Sequence, residues 1–308
     1  MSRIGYLMVA LCAIMFSLIG VISRVPLAEG VTPVEVAFWR AAFGAIFFIS
    51  HGLVIGAWRI PMKQRTVFTL FGIPGVAGLF FLYVYGVQNA GASMTSVLNN
   101  TFPIWVALWA YLFFNEVLTR QKITSIILAV IGASLIAISG GGLPEGASPI
   151  GILAACGTGF LFSLHSLVVK KYVTQNVSSV SLYMHILPAG ALCILPFVDF
   201  MPDKSLSVWI SLISLGLFCN WLPYLCFCEA LKRLPATRVS VMESSSEPLL
   251  TALFAFIFWG EAFRPLGWVG AVMVISAVAI MLMAKEVKRR PAAPEGVPPT
   301  PKESQAGR

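Results

Sequence analysis

The sequence predicts an all-α integral membrane protein, with ten transmembrane helices arranged as two inverted five-helix repeats. Three observations predict this. The 308 residues are 58% hydrophobic and only 11% charged, whereas a soluble domain carries roughly 25% charged residues. The basic residues fall mostly between long apolar runs. A segment in the second half of the chain also repeats one in the first. Pro103–Glu116 (PIWVALWAYLFFNE) and Pro248–Glu261 (PLLTALFAFIFWGE) share Pro, Ala, Leu, Ala, Phe and Glu at an offset of 145. An internal repeat of that length signals a duplicated structural unit.

A spanning helix requires about 20 mostly apolar residues, and ten stretches qualify. The first, 5–23, begins like a secretory signal. It lacks a clear small-x-small cleavage site and many further spans follow it, so it reads as a retained helix. The stretches 34–55, 67–87, 92–114 and 123–140 complete a first repeat over 5–140. The stretches 149–169, 178–199, 206–230, 237–259 and 265–284 form a second over 149–284. The connections are short and leave no room for a soluble domain. Residues 285–308 are basic and proline-rich, as expected of a disordered cytoplasmic tail.

Alternation of positive charge sets the orientation. With the N-terminus inside, 17 of the 21 lysines and arginines fall on the cytoplasmic side. Three, Arg24, Lys204 and Arg264, fall outside, and Arg40 lies within a span. Both termini are then cytoplasmic. Five helices per repeat is an odd number, so the second copy enters the membrane upside down relative to the first. The opening helices of the two copies also match. Phe16-Ser17-Leu18 corresponds to Phe162-Ser163-Leu164, with a cation eight residues after the phenylalanine in each, Arg24 and Lys170. Inverted repeats are a physical route to opening a central site to one side and then the other.

Composition also excludes several classes. The net charge of +8 is spread over loops, so it reports topology and not a nucleic-acid surface. Six cysteines lie in apolar runs without metal-ligand spacing and read as small buried hydrophobes. No metal or cofactor is implied. There is no phosphate-binding G-x-x-x-x-G-K-[ST], no H-E-x-x-H and no G-x-S-x-G, which argues against an ATP-driven pump and against an intramembrane enzyme.

The two "proline, apolar run, Glu" segments, Pro103 to Asn115-Glu116 and Pro248 to Gly260-Glu261, with the Phe38-Trp39-Arg40 stretch, carry a resemblance. The chain is similar over about 5–284 to the EamA family of the drug/metabolite transporter superfamily. The resemblance implies ten helices, cytoplasmic termini and a central cavity lined mainly by helices 1, 3, 4, 6, 8 and 9. It also implies transport of small metabolites, with many similar bacterial proteins assigned to export of amino acids or related compounds. It identifies the family well and the substrate poorly.

Glu247 is the leading candidate for the mechanism. It stands about ten residues into the ninth span, near the bilayer midplane at 1.5 Å per residue. A charge there is costly unless paired, hydrated or protonated. Glu243 lies one turn earlier on the same face. Ser244, Ser245 and Ser246 add hydroxyls, and Pro248 frees a backbone carbonyl. Such a wall suits an ammonium or a proton. The competing reading pairs Glu247 with Arg40 or the serines purely for packing. Arg40 in turn is a bidentate site for a substrate carboxylate or a helix-to-helix tie. Asn99 and Asn100 before Pro103 match the serines before Pro248, as a cavity wall or as interhelical hydrogen bonds. His165 is a ligand, a proton relay or a packing histidine. Tyr83, Asn220, Trp221 and Tyr224 offer an amphipathic lining or interfacial anchors. Glu116 and Glu261 read as structural carboxylates that accept N–H groups from the next helix, with Pro103 and Pro248 as structural partners.

The expected function is a secondary transporter exporting amino acids, amines or related compounds across a bacterial inner membrane, with protons as the candidate coupling ion. The alternatives are a flippase for lipids or lipid-linked sugars and, more remotely, an intramembrane enzyme. The partners expected are a small-molecule substrate and the lipid bilayer, in a monomer or homodimer.

Overall fold

The computed structural model describes residues 3–141, 146–260 and 264–285. Among them the chain is a bundle of helices packed side by side. Among the described residues nine helices are long and apolar enough to cross a membrane, and the outward surface is what a bilayer requires. Leu153, Trp268, Val272 and Ile275 are all more than half exposed, which is tolerable only against hydrocarbon. The chain is a multi-pass membrane protein.

The element starts are written in the sequence. The first helix, α1, runs Arg3–Ala28. α2, Pro33–Val54, starts with Pro33 in its first turn and Thr32 as cap, whose hydroxyl accepts the Glu35 N–H at 3.2 Å. α3 spans Met62–Ala90. The fourth segment comprises two short helices, α4a (Ala92–Asn99) and α4b (Phe102–Phe113). α5 is Arg120–Gly141. α6, Pro149–Thr174, repeats the start of α2: Ser148 caps Gly151 N–H at 3.0 Å and Pro149 follows. α7 is Ser179–Ile194, α8 Leu206–Arg233, α9 Ala236–Trp259 and α10 Pro265–Met283.

Three of these helices are irregular. The stretch 92–114, expected as one span, breaks at Asn100-Thr101. Pro103 has no N–H to return to Asn99, and the asparagine and threonine side chains compete for the backbone; Thr101 Oγ1 donates to Leu98 O at 2.6 Å. α3 and α8 each contain a π-helical turn, Ile73–Gly78 and Leu217–Trp221. Such turns insert an extra residue and re-aim every side chain after them. Pro74 sits in the first, and Pro223 follows the second.

Packing joins early helices to late ones. α1 packs on α8 and α9, α2 on α7 and α8, α3 on α6 and α7, α4 on α6 and α9, and α5 on α10. Buried cations lock several ends. Lys170 Nζ of α6 donates to Leu231 O (2.5 Å) and Leu234 O (2.7 Å) at the end of α8. Arg238 of α9 donates to Tyr6 Oη and, at 2.6 Å, to Ala284 O at the end of α10. Both satisfy carbonyls that a helix terminus leaves open. At another end, Glu35 accepts Trp39 Nε1 (3.0 Å) and Met201 N (3.0 Å) and pairs with Lys204 Nζ at 2.6 Å. In the turn after α1, Glu29 accepts the Ser205 and Ser207 hydroxyls, which hold its carboxyl below the usual carboxylate range.

Candidate functional site

A cavity of about 450 Å³ lies inside this bundle, and its walls follow helical periodicity. α9 contributes Glu243, Glu247 and Thr251, spaced four apart, so the two carboxylates and a hydroxyl form one stripe. α1 faces them with Phe16, Ile19, Gly20 and Arg24. The π turn of α3 places Gly75 and Val76 on the wall, and the helix continues it with Leu79, Phe80 and Tyr83. The broken fourth segment supplies Ser96, Asn99, Asn100 and Phe102. Arg40 comes from α2, and Asn220 and Tyr224 from α8.

Charge and aromatic surface are therefore apposed. The Arg40 guanidinium carbon sits 4.5 Å from the centre of the Phe80 ring, a cation–π contact that orients it. Its Nε has no hydrogen-bond partner. Asn220 donates Nδ2 to Arg40 O at 3.0 Å while its buried Oδ1 stays unpaired. This close approach requires Gly44, where a Cβ would lie 2.7 Å from Asn220 Nδ2. Glu243 is 1% exposed, with Oε2 unpaired. Phe16 meets Tyr224 edge-on at 5.5 Å, and Phe102 meets Phe162 edge-on at 4.8 Å. Thr251 Oγ1 donates to Ser17 O at 3.2 Å and ties α9 to α1.

The structure thus brings together Glu247, Glu243, Asn99, Asn100, Tyr83, Asn220, Tyr224 and Arg40. Pro248 lies on the same wall, and Pro103 is buried in α4b. Three other candidates stand outside the lining. Ser245 is fully buried with its hydroxyl unpaired. His165 bonds Tyr183 Oη at 2.8 Å and packs against Tyr224 from behind, 5.6 Å between rings. Trp221 packs against Phe47 and His51. It is the last residue of the π turn in α8, so counting 3.6 residues per turn along the sequence misjudges its side. Glu116 accepts the N–H of Ala236 at the start of α9, a helix distant in sequence, and lies 3.9 Å from the Lys122 Nζ of the next helix, α5. Glu261 lies outside the described residues. Arg24, expected in an outer loop, is on the cavity wall because α1 continues to Ala28. Ser96 and Thr251 were not anticipated; their signal was the four-residue spacing to Asn100 and to Glu247.

Comparison with known proteins gives the family. The sequence pattern of the EamA-like transporter family matches residues 3–138 and again 149–283. The chain belongs to the EamA-like transporter family. It is 25% identical over 254 residues to a transporter, YdfC, of Bacillus subtilis, covering 81% of this chain and 82% of that one. It is 26% identical over 259 residues to protein RarD of Salmonella typhi, covering 81% and 85%. It is 24% identical over 251 residues to a probable terminal-alkyne amino-acid exporter of Streptantibioticus cattleyicolor, covering 79% and 81%. A solved crystal structure superimposes with a TM-score of 0.77 over 91% of this chain and 96% of its own, at 17% identity; at that identity the likeness concerns the fold.

Proposed function

We propose that this EamA-like chain is a secondary transporter that exports amino acids, amines or related small metabolites across a bacterial inner membrane by alternating access. The observation that carries the reading is the central cavity, lined by carboxylates of α9, a guanidinium of α2 and aromatic rings, one of them stacked under that guanidinium. Its carboxylates suit a substrate ammonium, Arg40 suits a substrate carboxylate, and Phe80, Tyr83 and Tyr224 suit an apolar or aromatic body. A relative named for amino-acid export supports the same substrate class.

The architecture proposed is ten spans in two inverted repeats, 5–140 and 149–284, with α4a and α4b together forming the fourth span. Helix packing supports it. Advancing the number of each first-half helix by five and reducing each second-half helix by five turns the α3–α6 contact into α8–α1, α3–α7 into α8–α2, and α4–α6 into α9–α1, and all of these contacts occur. The π turns of α3 and α8 are likewise 144 residues apart at their starts, close to the repeat offset. Positive charge on alternate loops supports cytoplasmic termini. A duplicated chain contains both halves of a pathway, so a monomer suffices, and a homodimer is compatible with it.

The test compares metabolites released by cells overproducing the wild type and Glu247→Gln at equal membrane abundance. A compound that accumulates outside only with the wild type supports the reading. Identical extracellular profiles for wild type, variant and empty cells would contradict it.

A further inference from the structure

The two carboxylates of the cavity are not equivalent. Glu247 is partly exposed on the cavity wall that Arg40 also lines. Glu243 lies one turn earlier in α9 and is more buried. It is 1% exposed, its Oε2 has no hydrogen-bond partner, and no ion pair reaches it among the described residues. The titratable groups around it are Cys12 of α1, Tyr183 of α7, Tyr224 of α8 and Glu247 of its own helix. Among those groups the other carboxylate is Glu247, four residues on along the same helix. Of the cavity cations, Arg40 lies over the Phe80 face, and Arg24 lies two turns along α1 from Phe16. Asn100 and Phe102 of the fourth segment and Ile136 of α5 add no charge to this wall. His165 stands behind Tyr224, bonded to Tyr183.

An ionised carboxyl in such a place is strongly disfavoured until a proton or a cation compensates it. Glu247 and Arg40 both border the open cavity, where a substrate can reach them. We infer that Glu243 carries a coupling proton while Glu247 and Arg40 hold the substrate. The inference rests on the transporter reading and divides the labour within its site. Each cycle forms one O–H bond at the Glu243 carboxylate with a proton taken from outside. The same bond breaks toward the cytoplasm, so one proton enters for each substrate exported. The cavity contact of Glu243 provides the path for exchange, and its burial keeps that path closed to bulk water.

The experiment has two arms on the purified full-length chain. Infrared spectroscopy, titrated through neutral pH, reads the C=O band of a protonated carboxylic acid. Vesicles containing a pH-sensitive dye and loaded with a mixture of amino acids and aliphatic diamines read efflux and proton movement together. The expected result is a titrating acid band present in the wild type and in Glu247→Gln and absent in Glu243→Gln, with efflux accompanied by proton entry in the wild type. Glu243→Asp, which keeps a carboxyl, should keep a titrating band at a shifted position; it guards against a Gln variant that fails to fold. The inference is overturned if the wild type shows no titrating acid band, if that band survives in Glu243→Gln, or if wild-type efflux proceeds with sodium entry and no proton movement. Absence of efflux of every compound loaded, with the band behaving as expected, would instead count against the transporter reading and remove the coupling role with it.

Discussion

Glu116 Oε1 accepts the backbone N–H of Ala236 at 2.8 Å, across 120 residues of sequence. Ala236 is the first residue of α9, the helix that carries both cavity carboxylates. The contact therefore fixes where that helix begins and, with it, the depth of Glu243 and Glu247. Glu116→Ala leaves a buried N–H unsatisfied and should lower stability by about 1–3 kcal/mol. Glu116→Gln keeps an acceptor and should lose less. Thermal unfolding of the two variants in detergent measures the difference, and equal midpoints would contradict the role.

Lys170 makes a second long-range tie. Its ammonium holds the carbonyls of Leu231 and Leu234 at the end of α8. Lys170→Met should cost about 2 kcal/mol by stranding them. Lys171→Met, at the exposed neighbouring position, should stay within about 0.5 kcal/mol. The contrast is readable in the same unfolding assay.

These two residues also mark what the sequence does and does not disclose. Long apolar runs made the spans legible, and the repeated Pro-to-Glu segment pointed to a duplication. The partners of Glu116 and Lys170 were hidden because each contact joins helices far apart in sequence. Lys170 and Arg24 occupy matching places in the two copies, yet one caps a helix inside the protein and the other lines the cavity. Hydropathy ended the first span at residue 23, whereas the helix runs through Arg24 to Ala28, because a polar cavity wall permits a helix to continue through a charge. The stripe of Glu243 and Glu247 was legible from four-residue spacing. The place of Trp221 was not, since a π turn breaks the periodicity that such spacing assumes.

Gly20 limits the size of the cavity. A Cβ there would meet Thr251 Cγ2 at 3.4 Å, ordinary contact. Gly20→Ala should fold and transport normally. Gly20→Leu should push a branched side chain into the cavity, fold, and lose most efflux. Efflux assays at matched abundance test this, and full activity of the leucine variant would show that the route lies elsewhere.

Arg40 should prove sensitive to geometry as well as charge. A guanidinium meets a carboxylate through two parallel bonds, which a lysine ammonium cannot reproduce. Arg40→Lys should weaken apparent substrate affinity about tenfold, equivalent to about 1.4 kcal/mol, and Arg40→Ala should weaken it further. Concentration-dependent efflux in vesicles gives both values. An unaltered affinity in the lysine variant would assign Arg40 to holding α2 in place.

Alternating access requires that one cavity open in turn to the two sides of the membrane. The most direct test places a single cysteine at Thr251, on the cavity wall, in a chain whose six native cysteines are replaced. A membrane-impermeant thiol reagent is then applied from the outside or the inside of oriented vesicles. Labelling from both sides is expected, with an added amino-acid and diamine mixture changing the ratio of the two rates. Labelling from one side alone, under every condition, would contradict it.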